Sequence, residues 1–281
     1  MLPQKKLKAI VQLLDDDSVE VWEILKNVIV NEGQEIIPYL ERHWEGSTNN
    51  MVQERLETMV HQIQFAALKS ELTLWINATD QNLLEGTIII AKYAFPDLDT
   101  HKTSQILEQL KEDLFYLDIK SKQPIEQIQT INYTLFNIFG LQINREDYYH
   151  INNNCINTVL ESKKGNPLLL SIVYLYIAQY FKLPIFGVNL PQYFIICLVQ
   201  NEVPVFYINV GEQGHIFPKE SIYKFLKKLN LEYDEKYFKP CTNKDMILRM
   251  LKNLWYSYGL INKEDKKDEI TELMNLFEHK K

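Results

Sequence analysis

The sequence predicts an α+β protein that is mostly helical and contains one small antiparallel sheet. Apolar residues recur at helical spacing over most of the chain, and three short β-rich runs lie together between residues 184 and 210. Of the 281 residues, 46% are hydrophobic and 24% are charged, which is typical of a globular chain. This length permits one large domain or two smaller ones.

The N-terminal part is predicted to form paired helices over residues 4–14, 19–30, 34–44 and 52–67. In the second of these, Val21, Ile24, Leu25 and Val28 share one face. The alternation of helices and short turns resembles a HEAT-type repeat, whose units bury one face and often bind partners with the other. Because one and a half units establish no period, a plain helical cap is an equally good interpretation. We expect a HEAT-like region over residues 1–78.

The remainder is predicted to form one domain over residues 79–261, followed by a charged helix or tail over residues 262–281. Helical periodicity or helix-start residues mark the segments 82–95, 100–117, 124–139, 167–181, 218–229 and 242–260. The β-rich runs 184–190, 193–199 and 204–210 predict a three-stranded antiparallel sheet between the fourth and fifth of these helices.

Composition and spacing disfavour several classes of partner. The apolar run over residues 167–181 is shorter than the roughly 20 residues of a membrane-spanning helix, so we expect no membrane partner. Residues 1–17 show neither the apolar core nor the cleavage site of a signal peptide, so we expect a cytoplasmic protein. The net charge of -7 disfavours nucleic acid. Three cysteines and six histidines show no disulfide or zinc-type spacing, and no phosphate-binding glycine motif occurs, so we expect neither metal nor cofactor. Oligomeric state is left open.

Four segments resemble the SirB-type transglutaminase-like family between residues 82 and 260. They read LLEGTIIIAKYAFPDLD, LFNIFG, TVLESKKGNPLLLSIVYLYIAQYFKLPIFGVNLP and ILRMLKNLWYSYG. The resemblance implies a papain-like or transglutaminase-like core. In active members of that superfamily, a cysteine lies at a helix N-terminus, and a histidine and an aspartate lie on adjacent strands.

The resemblance places none of these three catalytic groups in this chain. Pro167 occupies the nucleophile position in GNP, where active relatives have a cysteine. Gln192 and Tyr193 stand where the family usually has glycine and histidine, and Asn209 stands at the aspartate position. The resemblance therefore implies a pseudoenzyme with no catalytic residue, a non-enzymatic interaction or regulatory protein with an unidentified protein or peptide partner.

A cryptic hydrolase or acyltransferase in the same cleft is the alternative, with Ser171 as nucleophile and Tyr193 as acid or base. A serine in an apolar helix more often packs and bonds to its own backbone, which is the interpretation we favour. Tyr193 and Asn209 form either a ligand-binding polar pair or a tyrosine that fills the vacated histidine site. The expected cleft positions and possible ligand contacts are thus Pro167, Ser171, Gln192, Tyr193 and Asn209.

The three cysteines offer a second possible nucleophile. Cys155 precedes the apolar helix and Cys197 lies in a predicted strand, so both are expected to be buried small hydrophobic residues. Cys241 precedes a helix and is expected to be exposed and the most reactive of the three.

Overall fold

The computed structural model describes residue 9 and residues 11–278. The chain divides into two compact units, the first ending at Leu74 and the second beginning at Trp75. Much of the helix predicted over residues 4–14, and the last three residues of the predicted tail, lie outside the described residues. The domain boundaries and the HEAT-like character expected from the sequence remain predictions.

The first unit is built from helices α1 (Val19–Val30), α2 (Ile37–Gly46) and most of α3 (Asn50–Asn77). Their apolar side chains form a single core, with Leu25, Leu40, Leu56 and Met59 among its buried members. The residues that share one face of α1 differ in burial: Ile24 and Val28 are 58% and 39% exposed, whereas Leu25 is buried together with Ile29. Neighbouring apolar positions let the helix turn a different face inward, and packing decides which one.

The second unit is mostly helical, which confirms the predicted fold class. Its helices are α4 (Leu83–Ala94), α5 (Thr100–Tyr116), α6 (Pro124–Asn132, continued by a π-helical turn over Tyr133–Ile138), α7 (Ile156–Ser162), α8 (Pro167–Tyr180), α9 (Lys219–Lys228), α10 (Asn243–Leu260) and α11 (Glu264–Asn275). No helix in the described part of the chain combines the length and apolarity needed to cross a membrane.

The antiparallel sheet has four strands instead of the predicted three. It runs in the order β3 (Ile185–Leu190), β4 (Tyr193–Gln200), β5 (Val203–Asn209) and β6 (His215–Phe217). A separate parallel pair joins β1 (Gln142–Ile143) to β2 (Lys164–Gly165). Strands of two or three residues are too short for an alternating pattern, which is why the sequence did not reveal them.

Helix α8 lies at the centre of the second unit. Eleven of its residues are buried, from Pro167 to Ala178, and it packs against β3, β4, α4, α5 and α7. The other face of the sheet packs against α9, where Ile222 and Leu226 meet Ile195 and Cys197. Because β4 is covered on both faces, its residues from Phe194 to Leu198 are all buried, and the strand is a continuous apolar run. This arrangement fixes the N-terminus of α8 beside the start of β4.

Candidate functional site

The N-terminus of α8 is capped by Asn166. Its Oδ1 accepts a hydrogen bond from the backbone N–H of Leu169 at 2.9 Å, and its Nδ2 donates to Oδ1 of Asn154 at 2.7 Å. Pro167 is the first residue of the helix, where a backbone N–H is not needed. The helix therefore begins at the residue that the resemblance places at the nucleophile position, and a proline side chain cannot act as a nucleophile.

A second asparagine holds the segment that faces this helix start. Asn153 is buried, and its Nδ2 donates to the carbonyl oxygens of Asp147 at 2.7 Å and Tyr148 at 3.0 Å. Its Oδ1 accepts from Nδ2 of Asn144 at 3.1 Å. These bonds fix Tyr148 and Tyr149, whose rings meet edge to face with centroids 5.0 Å apart.

Tyr193 and Asn209 are brought together by the pairing of β4 with β5. The hydroxyl of Tyr193 donates to Oδ1 of Asn209 at 3.0 Å. Burial raises the pKa of Tyr193, and the bond to Asn209 offsets this only in part. The phenol is therefore protonated at neutral pH and acts as a hydrogen-bond donor. A Cβ added at Gly211 would lie 2.5 Å from this hydroxyl, so the pair also depends on a glycine.

Helix α10 presents a polar stripe to the same region. Four polar residues lie on one face of this helix, because Lys252 and Asn253 each lie three or four residues from both Arg249 and Tyr256. The opposite face is buried through residues such as Leu251. The sequence therefore aims one polar face of an amphipathic helix at the start of α8.

Arg249 connects this stripe to the end of β3. Its Nη1 donates to Oδ1 of Asn189 at 3.0 Å and to the carbonyl oxygen of Leu190 at 3.2 Å, and its Nε donates to Oδ1 of Asn253 at 3.4 Å. Burial lowers the pKa of Arg249, and Tyr148 opposes this shift. The three acceptors are amide or backbone carbonyl oxygens, so none of these bonds neutralises the charge of the guanidinium.

These elements enclose a cavity of about 740 Å³. Its lining contains two cations and no aspartate or glutamate among the described residues. The side chains that line it are Tyr148, Tyr149, Asn154, Asn166, Pro167, Leu168, Gln192, Tyr193, Phe194, Arg249, Lys252, Asn253, Tyr256 and Ser257. The site is therefore polar, aromatic and positively charged, although the whole chain carries a net charge of -7.

The structure divides the residues expected at the cleft into two groups. Pro167, Gln192 and Tyr193 line the cavity. Asn209 does not line it but holds the hydroxyl of Tyr193. Ser171 is completely buried and does not line the cavity, and its hydroxyl donates to the carbonyl oxygen of Pro167 at 2.7 Å. That bond is the backbone contact expected of a packing serine.

None of the three thiols lines the cavity. Cys155 and Cys197 are buried and Cys241 is half-buried, so the expectation that Cys241 is exposed was wrong. Its backbone N–H bonds to the carbonyl oxygen of Gly187 at 2.8 Å, which holds the segment against β3. Burial raises the pKa of each thiol to about 12. All three are therefore thiols, not thiolates, at neutral pH.

Sequence reasoning missed both cations of the lining and three of its tyrosines: Arg249, Lys252, Tyr148, Tyr149 and Tyr256. Arg249, Lys252 and Tyr256 lie in a segment that was assigned as a helix and as part of the family resemblance, without a role for any single residue. Their spacing predicts that they share a polar helix face, but only the tertiary structure shows that this face lines a cavity. Within residues 9 and 11–278, no group of three or more histidine, cysteine, aspartate or glutamate side chains is placed to hold a metal ion.

Comparison with known proteins identifies the family. The transglutaminase-like superfamily matches residues 100–252, which is more than half of the chain, and the chain belongs to this superfamily. A UPF0162 protein of Xylella fastidiosa (strain 9a5c) is 23% identical over 66% of this chain and 67% of its own length. A UPF0162 protein of strain Temecula1 / ATCC 700964 is 27% identical over 45% of this chain and 47% of its own length.

A shorter similarity extends to larger proteins. F-box only protein 21 of Homo sapiens is 33% identical over 25% of this chain, and the match covers 11% of that protein. No solved structure gives a significant match.

Proposed function

We propose that the chain is a non-enzymatic interaction or regulatory protein, a degenerate SirB-type member whose former catalytic cleft binds a protein or peptide segment. One observation carries the proposal. The cavity surrounds the helix start at Pro167 and the strand start at Tyr193, yet its described lining contains no cysteine, histidine, aspartate or glutamate. A cavity therefore lies where the resemblance places an active centre, but its lining lacks the cysteine, histidine and aspartate of that centre.

The size and character of the cavity support a binding role. A volume of about 740 Å³ lies within the range of roughly 300–1,000 Å³ that is usual for ligand sites. Ser257 is part of the lining, but no imidazole or carboxylate accompanies it there among the residues described. Burial raises the pKa of Tyr193, so its phenol stays protonated at neutral pH and is not available there as a base. Hydrogen-bonding groups and tyrosine faces are what the cavity offers.

The alternative, a hydrolase or acyltransferase that uses Ser171, has no supporting observation. Ser171 is buried, its hydroxyl is bonded to the backbone one turn earlier, and it lies outside the cavity lining. A nucleophile must lie within about 3 Å of its base and be open to substrate.

The proposal also includes a HEAT-like N-terminal region and a cytoplasmic location, the latter supported by three free cysteines.

The test is a selection of displayed random peptides on the native protein and on Asn253→Trp, which fills the cavity. Asn275→Trp is the matched control, because Asn275 is exposed at the end of α11 and does not line the cavity. We expect peptides that bind the native protein and N275W equally and lose binding to N253W. Far-ultraviolet circular dichroism establishes that both variants are folded.

Two results would contradict the proposal. One is a selection in which every enriched peptide binds N253W as well as the native protein. The other is turnover of p-nitrophenyl acetate, or of a fluorogenic amide, that N253W abolishes and N275W retains. Such turnover would assign chemistry to the cavity instead of binding.

A further inference from the structure

We propose that the cavity selects an acidic peptide segment, with the carboxylate of an aspartate or glutamate held between Arg249 and Lys252. This inference rests on the proposed binding function and names its ligand class. Both cations line the cavity, and no acidic side chain in the described lining neutralises them. Lys252 is exposed and makes no ion pair with any described residue. A ligand carboxylate would supply the missing charge.

The donors of Arg249 show where such a ligand would bind. A guanidinium has five N–H donors, and three of them are directed at Asn189, Leu190 and Asn253. The two N–H groups on Nη2 have no hydrogen-bond partner in the part of the chain that the structure describes. Those three bonds hold the guanidinium in place, so it is preorganised with open donors beside the cavity. A carboxylate is the partner that such donors bind most strongly.

Partial burial makes this cation costly when it is unpaired. Burial lowers the pKa of Arg249, which means that the charged form has lost solvation. The uncharged oxygens that it bonds restore part of that loss. Burying a charge without an opposite charge nearby is unfavourable, and a bound carboxylate would offset the lost solvation of the guanidinium.

The rim of the cavity favours a peptide over a small anion. The rings of Tyr149 and Tyr256 lie with centroids 5.0 Å apart and are 51% and 48% exposed. Exposed tyrosines provide large contact area with little loss of side-chain entropy. They suit an apolar or aromatic residue next to the acidic one. The occupant is therefore a segment with a carboxylate beside an apolar side chain.

A carboxylate fits this site better than a phosphate. A phosphorylated residue carries close to two charges and three acceptor oxygens, and proteins usually bind it with a cluster of arginines. Here one arginine offers a single free Nη2, and one lysine accompanies it. Comparison of a phosphoserine peptide with a glutamate peptide tests this preference.

The experiment extends the peptide selection to Arg249→Met and Lys252→Gln, with Lys244→Gln as the control. Lys244 lies on the same helix and does not line the cavity. The best cavity-dependent peptide is then synthesised with glutamate, glutamine or phosphoserine at its acidic position, labelled with fluorescein and titrated by fluorescence polarisation. K252Q keeps the test decisive if R249M fails to fold, because Lys252 is exposed.

We expect the selected peptides to be enriched in aspartate and glutamate. R249M should weaken the glutamate peptide by at least about tenfold, and K252Q by about threefold. K244Q should bind it as the native protein does. The glutamine peptide should bind weakly to the native protein and to K252Q alike.

The other outcomes separate this inference from the proposed function. Cavity-dependent peptides without acidic enrichment would overturn the inference and leave the binding function standing. Tighter binding of the phosphoserine peptide would overturn the assignment of a carboxylate. A selection without cavity-dependent peptides would overturn the binding function itself, and this inference with it.

Discussion

The hydroxyl of Tyr193 donates a 3.0 Å hydrogen bond to Oδ1 of Asn209 across neighbouring strands of the sheet. These are the positions at which the resemblance to active relatives places a histidine and an aspartate. A side chain at the start of β4 is thus hydrogen-bonded to one on β5, but both side chains are uncharged at neutral pH. The bond orients a phenol at the cavity wall.

The first prediction concerns this pair. Tyr193→Phe should lower the free energy of unfolding by about 1 kcal/mol, because the hydrogen bond is lost. Gly211→Ala should cost about 1–3 kcal/mol, since the new Cβ would lie 2.5 Å from the hydroxyl and 2.6 Å from Cδ1 of Ile143. In the Y193F background G211A should cost less, as one of the two clashes is gone. Urea unfolding of both single variants and the double variant measures this coupling.

Gly46→Ala is the control, because a Cβ there meets no atom within 4 Å. It should leave the free energy of unfolding nearly unchanged. Strict additivity of Y193F and G211A would show that the glycine does not act through the tyrosine hydroxyl.

The second prediction concerns the native thiols. Cys155, Cys197 and Cys241 should all react with iodoacetamide more slowly than a free thiol at neutral pH, because burial raises the pKa of each to about 12. Limited alkylation followed by mass spectrometry gives the three rates, and the same protein in urea should show ordinary rates. A single fast cysteine in the folded protein would reveal an activated nucleophile.

The third prediction concerns the reactivity of a thiol placed at the N-terminus of α8. A Pro167→Cys variant should carry a more reactive thiol than any native one, by at least about tenfold, because helix N-termini stabilise a thiolate and this position lines the cavity. Ser171→Cys is the matched control, since Ser171 is also buried in this helix but lies one turn past its N-terminus and does not line the cavity. Equal alkylation rates at the two positions would show that the helix N-terminus does not activate a thiol at position 167.

The fourth prediction compares two buried tyrosines. The hydroxyl of Tyr174 is buried with no hydrogen-bond partner among the described residues, whereas that of Tyr207 donates to the carbonyl oxygen of Phe238 at 2.9 Å. Tyr174→Phe should therefore be neutral or stabilising, and Tyr207→Phe should cost about 1 kcal/mol. Thermal or urea unfolding of the pair decides this. A clear loss of stability in Y174F would mean that its hydroxyl is bonded in solution.

The fifth prediction concerns alkaline pH. The pKa of Cys155 is raised to about 12 in the folded chain, and Tyr258 is likewise raised to about 12. In the unfolded chain such thiols and phenols ionise near their ordinary pKa values of about 8.5 and 10. The unfolded state therefore binds fewer protons above about pH 8.5, so the free energy of unfolding falls as pH rises.

Urea unfolding at pH 7.5 and at pH 10 measures that fall. Cys155→Ala should make it shallower, because one raised pKa has been removed, whatever its effect on stability at pH 7.5. A stability that rises over this range would have the wrong sign for buried neutral thiols and phenols.

Much of the fold was predictable because it depends on local periodicity. The mostly helical α+β class, the start of α8 at Pro167 and strands β3 to β5 follow from apolar spacing and from proline and glycine positions. The face of α1 was not settled in this way, since apolar residues on adjacent faces compete and only packing selects Leu25 and Ile29. Strand β6 and the parallel pair were missed because they are too short to carry a pattern.

The sequence by itself determined which residues stand at the three positions where the family resemblance places catalytic residues: a proline, a tyrosine and an asparagine. Only the tertiary structure decided what the cleft contains instead. Arg249 reaches Asn189 across 60 positions of sequence, and it shares a cavity with Tyr149 and Gln192 from other elements. Periodicity reports which face of a helix is polar, but the identity of the surface opposite that face depends on how distant segments pack.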